Sequence, residues 1–354
     1  MDERRLLVAV ALSLFVLTAY SLLFAPAPPP ADLPSPLPSP TGLAATSPPA
    51  GPPPAPPAAA PEAAAPAPAI ADEKERRVEV QADEYTVAFT NRGARVVSWT
   101  LSRYRDARGR AEEMVPAQGG SIRPLDVETG DPGLDARLRE ALYRPSAETV
   151  AVSAREPQTL RFAFSDGDVE AEKTLVFQAT GLVTVSVKVG RQGREVPARL
   201  LWGPGVGNPS PEEREIQGYY APRGVAYAGG ALEHLEAEKL PPSGKLLSGV
   251  GWIGVESHYF AAIFVAPAGG AAAEVRPQAA PAKPDEKPSV APVAVIDAGG
   301  AEPVRLFVGA KDYQSLAKLG HHLERVVPVG DWIGPIVVAL MALLRWVQSH
   351  VGNW

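Results

Sequence analysis

The sequence of 354 residues contains no cysteine and only five histidines. The absence of cysteine excludes disulfides, zinc–thiolate sites and thiol nucleophiles, and it leaves the redox compartment of the protein open. The sequence also has no surplus of basic charge, because its 34 lysine and arginine residues are outnumbered by 40 aspartate and glutamate residues, for a net charge of -6. No basic run with interleaved aromatic residues offers phosphate neutralisation, so we expect no nucleic acid partner.

Long runs of bulky apolar residues are rare, and one of them lies at the N-terminus. Residues 6–24 contain no charged side chain, and a helix of that length spans roughly the 30 Å hydrocarbon core of a bilayer. Arg4 and Arg5 precede the run and no positive cluster follows closely, which places the N-terminus in the cytoplasm. We therefore predict a cytoplasmic N-terminus and transmembrane anchor over residues 1–25. A cleaved signal peptide is the alternative, although Pro26 and Pro28 at the candidate cleavage sites argue against it.

Residues 26–69 are dominated by proline, alanine, serine and glycine. Such a segment has too little apolar bulk to offset the entropy lost on ordering, so we predict a disordered, extended tether over residues 26–77. At about 3.1 Å per residue, its Pro/Ala-rich part reaches roughly 130 Å. We expect a passive spacer rather than a specific proline-rich ligand.

Alternation of apolar and polar residues dominates from residue 78 onward and is typical of strands with one buried face. One run stops at the turn signal Asn91-Arg92-Gly93, and another passes through Asp166-Gly167 as a hairpin signature. Helical periodicity is rare, and residues 134–143 are its clearest example. We predict a mainly β sandwich domain over residues 78–310. Inside it, the Gly/Ala/Pro-rich residues 268–292 are predicted to form a mobile loop.

The pattern changes to helical spacing after the last predicted strand. Asp312 is a plausible N-cap, and apolar residues follow it at positions 313, 316, 319 and 323, so we predict a helix that closes the domain over residues 311–327. The apolar run that follows, residues 333–344, is too short to span a bilayer, and tryptophans flank it. We predict an interfacial amphipathic helix over residues 328–354. Its predicted membrane-interface residues are Trp332, Ile336, Leu340, Leu343, Arg345, Trp346 and Trp354.

Candidate chemical motifs are few, and none has the context of an active site. Residues 249–254 read Gly-Val-Gly-Trp-Ile-Gly, but no clear strand precedes them and no helix follows, which favours glycines of a β domain over a dinucleotide site. His321 and His322 lack any metal-binding motif and are predicted to be solvated. The glutamates of residues 212–215 are predicted to form a solvated loop. We therefore predict no catalytic residue, no cofactor and no metal.

Five strings of unusual composition occur in a fixed order along the chain. They are Phe89-Thr90-Asn91-Arg92-Gly93-Ala94 with Ser98-Trp99-Thr100-Leu101 and Tyr104-Arg105-Asp106; Leu201-Trp202-Gly203-Pro204-Gly205; Gly251-Trp252-Ile253-Gly254-Val255 with Tyr259-Phe260; Val308-Gly309-Ala310-Lys311-Asp312-Tyr313; and Leu344-Arg345-Trp346-Val347 with Val351-Gly352-Asn353-Trp354. The first four resemble the periplasmic domain of YidC-type membrane protein insertases. The last resembles the amphipathic elbow helix that this family places before its second membrane span. The resemblance covers nearly the whole chain apart from the tether.

The resemblance implies a β-supersandwich periplasmic domain in the bacterial inner membrane, followed by interfacial helices. It also implies a protein transport and chaperone role, in which the family inserts and folds inner-membrane proteins alone or beside the Sec translocon. The family's insertion groove belongs to a later five-helix core, and this sequence stops before the corresponding residues. We therefore expect this chain to supply anchoring and periplasmic docking, without enzymatic activity. Its expected partners are the lipid bilayer, the Sec translocon with its accessory proteins, and nascent inner-membrane proteins.

Two other functions remain open from the sequence. The supersandwich is shared with sugar-binding and aldose-epimerase-like proteins, whose chemistry needs a histidine and a glutamate converging in a cleft. Glu256 and His258, two residues apart on a predicted strand, could share one face. A structural envelope protein, with the tether crossing the periplasm, is the third hypothesis.

Overall fold

In the computed structural model, the structure describes residues 69–117, 122–153, 156–178, 181–279 and 289–328. The predicted anchor, most of the predicted tether and nearly all of the predicted interfacial helix lie outside these ranges. Within them, no helix combines the length and the apolar character needed to cross a membrane.

The described residues form nineteen strands and three helices, numbered here in chain order. The first strands are β1 (Arg77–Gln81), β2 (Tyr85–Thr90), β3 (Arg95–Arg105), β4 (Ala111–Glu113), β5 (Val127–Glu128), β6 (Arg144–Pro145) and β7 (Thr149–Ala151). The others are β8 (Gln158–Ser165), β9 (Val169–Phe177), β10 (Leu182–Arg191), β11 (Arg194–Val196), β12 (Arg199–Trp202), β13 (Arg223–Ala228), β14 (Ala231–Leu235), β15 (Lys245–Glu256), β16 (Phe260–Val265), β17 (Ala271–Ala279), β18 (Val290–Asp297) and β19 (Val304–Ala310). The helices are α1 (Pro132–Glu140), α2 (Pro211–Arg214) and α3 (Tyr313–Leu319).

The strands assemble into two sheets. A five-stranded sheet has the order β4-β3-β2-β1-β7, and a 14-stranded sheet has the order β5-β12-β18-β17-β15-β16-β19-β10-β9-β8-β6, with β11, β13 and β14 paired at its sides. Neighbouring strands are antiparallel apart from β1 and β7, which run parallel. The hairpin predicted at Asp166-Gly167 is present as β8–β9, where Leu160 lies opposite Leu175.

Buried side chains from both sheets form one hydrophobic core. Aromatic rings join the sheets, since Phe89 on β2 lies 5.6 Å from Phe162 on β8 and Trp99 on β3 lies 6.0 Å from Trp202 on β12, centroid to centroid. Such tilted and edge-on ring pairs add to the stabilisation gained from burial. The mainly β supersandwich predicted from the sequence is therefore confirmed.

A buried lysine fastens the smaller sheet to the larger one. Lys173 on β9 is fully buried, and its ammonium group donates to the carbonyl oxygens of Ala94 and Leu125, each at 2.6 Å. Burial lowers the pKa of Lys173 to about 7. The alternation of β9 places Lys173 on the same face as the buried Ala171 and Leu175, but a lysine is unexpected at a buried position because of its charge.

The last residues of the predicted tether are part of the folded domain. Residues 70–77 belong to the β domain: Ile70 forms a β-bridge with Ser165, and the Asp72 carboxylate accepts from Arg76 at 2.8 Å and from the Asn91 amide at 3.2 Å. Asn91, fully buried, also accepts from the backbone N–H of Arg76 at 2.7 Å. These bonds order a charged stretch that has no periodicity to reveal it.

Part of the predicted loop at residues 268–292 is a strand. Residues 271–279 form β17, which pairs in register with β18 from Ala273–Ile296 to Ala279–Val290. The alanine-rich composition concealed a strand because β17 lies between β15 and β18, where pairing on both sides compensates for weak β propensity.

The predicted closing helix, residues 311–327, is interrupted. The α3 helix begins where expected, with the Asp312 carboxylate accepting from the Ser315 backbone N–H at 2.9 Å, but it ends at Leu319. Gly320 and both histidines after it have positive φ, and a 3₁₀ turn follows at Leu323–Val326. Leu316, Leu323 and Val326 nevertheless reach the same apolar cluster on the outer face of the large sheet.

Candidate functional site

Three of the five strings converge at one end of the sandwich. Tyr104 at the end of β3, Tyr259 and Phe260 at the start of β16, and Lys311 after β19 line a cavity of about 400 Å³. Two residues outside the strings, Glu112 on β4 and Glu213 on α2, complete this wall. We call this cavity the Glu112 cleft.

Aromatic side chains form the apolar part of the Glu112 cleft. The ring of Tyr104 stands edge-on to Phe260, with centroids 5.6 Å apart and planes at 89°. Tyr104 and Tyr259 remain 41% and 44% exposed, whereas Phe260 is buried. The backbone N–H of Lys311 donates to the Tyr259 carbonyl at 2.8 Å, which joins the two strings directly. The cleft therefore presents two tyrosine rings to solvent on a rigid support.

The loop that precedes α2 is fastened to β4. The Asn208 side chain donates to the carbonyls of Glu113 at 3.1 Å and Val115 at 3.0 Å, and the Gly207 N–H donates to Met114 at 2.9 Å. Ser210 caps α2, accepting from the Glu213 N–H at 3.2 Å. The predicted solvated loop at residues 212–215 is thus a short capped helix, because the capping box supplies the bonds that its lone turn lacks. Glu213 of α2 and Glu112 of β4 consequently line the same cavity.

Glu112 is the exceptional carboxylate of the cleft. It is only 6% exposed, and its carboxylate forms neither a hydrogen bond nor an ion pair with any described residue. Burial, together with the charges of Glu213, Asp106 and Glu113, raises the pKa of Glu112 to about 7. A buried carboxylate without a partner is costly, so its presence at a cavity points to a binding role.

The other carboxylates around Glu112 have partners. A second cavity of about 990 Å³ adjoins the first and shares Glu112 and Glu213 with it. Within it, Asp106 accepts from Arg110 Nε at 2.9 Å, and Glu113 accepts from the Trp99 N–H at 2.7 Å. Glu213 accepts from the Ser210 N–H at 2.7 Å. The contrast singles out Glu112 as the carboxylate left open.

A fully paired carboxylate lies close to the same cleft. Glu256, at the end of β15, is 0% exposed and accepts from Arg223 Nε at 2.8 Å and from Lys311 Nζ at 2.9 Å. His234 Nδ1 lies 3.0 Å from the same carboxylate. Burial alone raises the pKa of Glu256, but the bonds from His234, Lys311 and Arg223 outweigh it and hold that pKa below its usual value. Lys311 Nζ also donates to the Tyr220 hydroxyl at 2.5 Å.

The histidine–glutamate pair considered for epimerase chemistry is not assembled. Both oxygens of Glu256 are occupied by cationic or imidazole groups, so this carboxylate is not free to exchange a proton with a substrate. His258 lies in the turn between β15 and β16 with its ring 4.6 Å from Tyr259 and 5.4 Å from Tyr220. Within the described ranges, no bond joins His258 to Glu256.

The remaining sequence motifs are structural where the structure describes them. Residues 249–254 lie within β15, and a Cβ on Gly254 would meet the Ala262 carbonyl of β16 at 2.2 Å, so close backbone approach explains this glycine. The prediction of β-domain glycines is confirmed. His321 and His322 are exposed, as predicted. The described part of the chain contains no cluster of three histidine or carboxylate side chains that could hold a metal.

The predicted membrane-interface residues, from Trp332 to Trp354, lie outside the described residues. The segment that leads to them is held firmly, because α3 and the 3₁₀ turn bury Leu316, Leu323 and Val326 against Trp252 and Phe307. The Tyr227 ring stacks on Trp252 at 5.7 Å and also contacts His322. The chain is therefore fixed to the large sheet as far as residue 328.

Comparison with known proteins agrees with this architecture. The family model described as "YidC periplasmic domain" matches residues 77–343. Proteins named membrane protein insertase YidC are similar along most of the chain. That of Geobacter metallireducens is 29% identical over 99% of this chain and 65% of the relative, and that of Syntrophus aciditrophicus is 25% identical over 81% and 54%. A third, from Pelobacter propionicus, is 27% identical over 99% of this chain and 64% of the relative.

The matched region is a part of those relatives, since the chain spans about two thirds of their length or less. Among solved structures, the galactose mutarotase related enzyme of Lactobacillus acidophilus is 10% identical, with a TM-score of 0.40, over 66% of this chain and 97% of that one. A galactose mutarotase-like protein of Lactobacillus casei gives 10% and 0.38, over 66% and 99%. At such identities and TM-scores, these two likenesses support no functional conclusion.

Proposed function

Because this chain belongs to the family of the YidC periplasmic domain, we propose that it forms the anchoring and periplasmic docking part of a membrane protein insertase. The observation that carries the proposal is the family match over residues 77–343, together with relatives that are named as insertases. The machine to which it contributes inserts and folds inner-membrane proteins, alone or beside the Sec translocon. The insertion groove itself is not among the described residues.

The proposed topology places the N-terminus in the cytoplasm and the β domain in the periplasm. The uncharged run at residues 6–24 would cross the inner membrane, and the Pro/Ala-rich segment would give the domain its reach. Residues 329–354 would return the chain to the bilayer, with Trp332, Trp346 and Trp354 at the headgroup level. The firm packing of α3 supports this arrangement, because it fixes the start of that segment on the sandwich.

The proposed partners are the lipid bilayer, the Sec translocon with its accessory proteins, and nascent inner-membrane proteins. A docking domain requires an exposed and rigid contact surface. The Glu112 cleft supplies one candidate, because its tyrosines are exposed while the strands beneath them are fixed by buried pairs. Aromatic residues of this kind are enriched at protein contact sites.

Photo-crosslinking in cells depleted of their own YidC-type insertase tests the docking role. A photoreactive residue at Tyr104 in the gene product that contains this chain should crosslink to Sec components or to a nascent membrane protein. The matched control is the same residue at Leu246, which is 75% exposed and lines a different cavity. The product should also restore protease-protected insertion of a single-span client.

Two results would contradict the proposal. Failure to restore insertion, combined with equal crosslinking from Tyr104 and Leu246, would favour the structural envelope protein. Saturable sugar binding that is abolished by His258→Ala, without any effect on insertion, would favour the epimerase-like alternative.

A further inference from the structure

We propose that the Glu112 cleft binds a protein segment through one arginine or lysine side chain, which pairs with the Glu112 carboxylate between Tyr104 and Tyr259. No described residue fills this role in the chain itself. The proposal stands on the burial of Glu112, on the identity of its neighbours and on the cavity that opens beside it.

The Glu112 carboxylate has no cationic partner among the described residues. Glu112 is 6% exposed as a residue and lines the cavity, and its carboxylate accepts no hydrogen bond from any described residue. The neighbouring Lys311 cannot supply the charge, since its side chain is 3% exposed and its ammonium group is committed to Glu256 and Tyr220. A cation entering from outside would remove the cost of this buried, unpaired group.

Carboxylates from neighbouring elements surround Glu112. Glu213 faces it from α2, Asp106 from the turn after β3, and Glu113 from its own strand. Arg105 at the end of β3 and Asp312 at the start of α3 line the cavity as well. Arg108 and Arg110 line the adjoining cavity, where Arg110 is paired with Asp106. Arg105 is exposed, and within the described ranges it forms no ion pair with Glu112. The acidic surplus favours a cationic ligand and disfavours an anionic one.

The residues around Glu112 suit an organic cation better than a metal ion. The described residues hold no three-ligand metal cluster, which argues against a tightly held metal ion. The two exposed tyrosines instead suit a guanidinium or ammonium group, because aromatic faces attract such cations and also cover the aliphatic stem behind them. An apolar neighbour of the basic residue could contact the Tyr104–Phe260 ring pair. A small protonated amine without an aliphatic stem would gain only the electrostatic attraction to Glu112.

This inference deepens the docking role proposed above and rests on it only for the identity of the partner. Binding is measured on the purified full chain in detergent, separately from insertion in cells. Loss of peptide binding would therefore leave the insertase proposal intact, and loss of insertion would leave the cleft proposal intact.

The probe is a fluorescein-labelled peptide, acetyl-Gly-Leu-Arg-Leu-Gly-amide, and its control carries citrulline, the neutral isostere of arginine. Near pH 8 the arginine peptide should bind about tenfold more tightly than the citrulline peptide, as expected for one charge-assisted contact. In Glu112→Gln that difference should shrink to less than twofold. In Glu238→Gln, an exposed carboxylate of the 3₁₀ turn Ala237–Lys239, it should be unchanged.

The pH dependence supplies a second readout. Protonation of Glu112 should weaken binding of the arginine peptide roughly tenfold between about pH 8 and pH 6, following a carboxyl whose pKa is about 7. The Glu112→Gln variant should show no such dependence. A thermal melt of each variant confirms that it is folded.

Three results would overturn the proposal. The first is equal affinity for the arginine and citrulline peptides. The second is a difference between them that persists in Glu112→Gln. The third is protection from thermal unfolding by Ca²⁺ alone that Glu112→Gln abolishes, since this would assign the cleft to a metal ion.

Discussion

Two buried glutamates at one end of the sandwich have opposite surroundings. Glu256 is 0% exposed and pairs with Arg223, Lys311 and His234, so its pKa lies below the usual value despite burial. Glu112 is 6% exposed and pairs with no described residue, so its pKa rises to about 7. Both lie beside residues of the strings that resemble YidC-type insertases. The difference separates a carboxylate that holds the fold together from one that is kept open.

The cost of each arrangement explains the contrast. Burial of a charge is compensated when cations and donors surround it, and it remains a liability when they do not. A structural role for Glu112 would be served better by glutamine or an apolar residue. In the binding mode proposed above, a partner supplies the cation that the described residues do not provide.

The largest effect should come from breaking the Glu256 side. Lys311→Met leaves a buried carboxylate with fewer partners, and the free energy of unfolding should fall by about 3–5 kcal/mol. Urea denaturation followed by tryptophan fluorescence measures it. Lys318→Met, on the exposed side of α3, is the matched control and should change the free energy by less than about 0.5 kcal/mol. A loss below about 1 kcal/mol for Lys311→Met would mean that Glu256 is not held by this pair.

A similar loss should follow removal of the buried lysine between the sheets. Lys173→Met leaves the carbonyls of Ala94 and Leu125 without their donor, and we expect a destabilisation of about 2–4 kcal/mol. The same denaturation assay applies. Lys188→Met on the neighbouring strand β10, where the side chain is exposed, provides the control. Equal stability of the two variants would refute the role of Lys173 as a fastening between sheets.

A gain is expected on the Glu112 side. The pKa of Glu112 in the folded chain lies above its ordinary value of 4.5. The contribution of Glu112 to the free energy of unfolding is therefore most favourable below about pH 4.5. This contribution is lost as pH rises through about 7. Glu112→Gln avoids this loss, so near pH 8 it should be more stable than the native chain by about 1–2 kcal/mol. Near pH 4 the two should be equal. Destabilisation of Glu112→Gln at both pH values would reveal a structural partner.

The smallest effect should come from the rim of the Glu256 cluster. The His234 side chain is 35% exposed, and its Nδ1 lies 3.0 Å from the Glu256 carboxylate. His234→Ala should lower the free energy of unfolding by about 0.5–1 kcal/mol, because solvent replaces part of the lost contact. A loss as large as that of Lys311→Met would show that the histidine, rather than the lysine, holds Glu256.

The strands and the fold class were predictable because their signals are local. Alternation at Tyr85, Val87 and Phe89 and the turn at Asp166-Gly167 depend on neighbours in sequence, and the structure confirms both. β17 was missed because its stability depends on strands β15 and β18 rather than on its own alanines.

The candidate site was only half predictable. The strings containing Tyr104, Phe260 and Lys311 were visible in the sequence, but their meeting in one cleft depends on the crossovers of two sheets. Glu112 gave no signal, since Ala111-Glu112-Glu113 looks like an exposed polar stretch. Its burial results from the loop before α2, which Asn208 fastens over β4. Asn208 lies 95 positions along the sequence from Glu113 and 93 from Val115, the two residues whose carbonyls it binds.

The most direct measurement is the pKa of Glu112 itself, followed by carbon-13 NMR of the full chain labelled at glutamate carboxyls. The signal is assigned by its loss in Glu112→Gln. We expect Glu112 to titrate near pH 7 in the free chain and to have a lower pKa when the arginine peptide is bound. Titration near the ordinary value of 4.5, unchanged by the peptide, would contradict it.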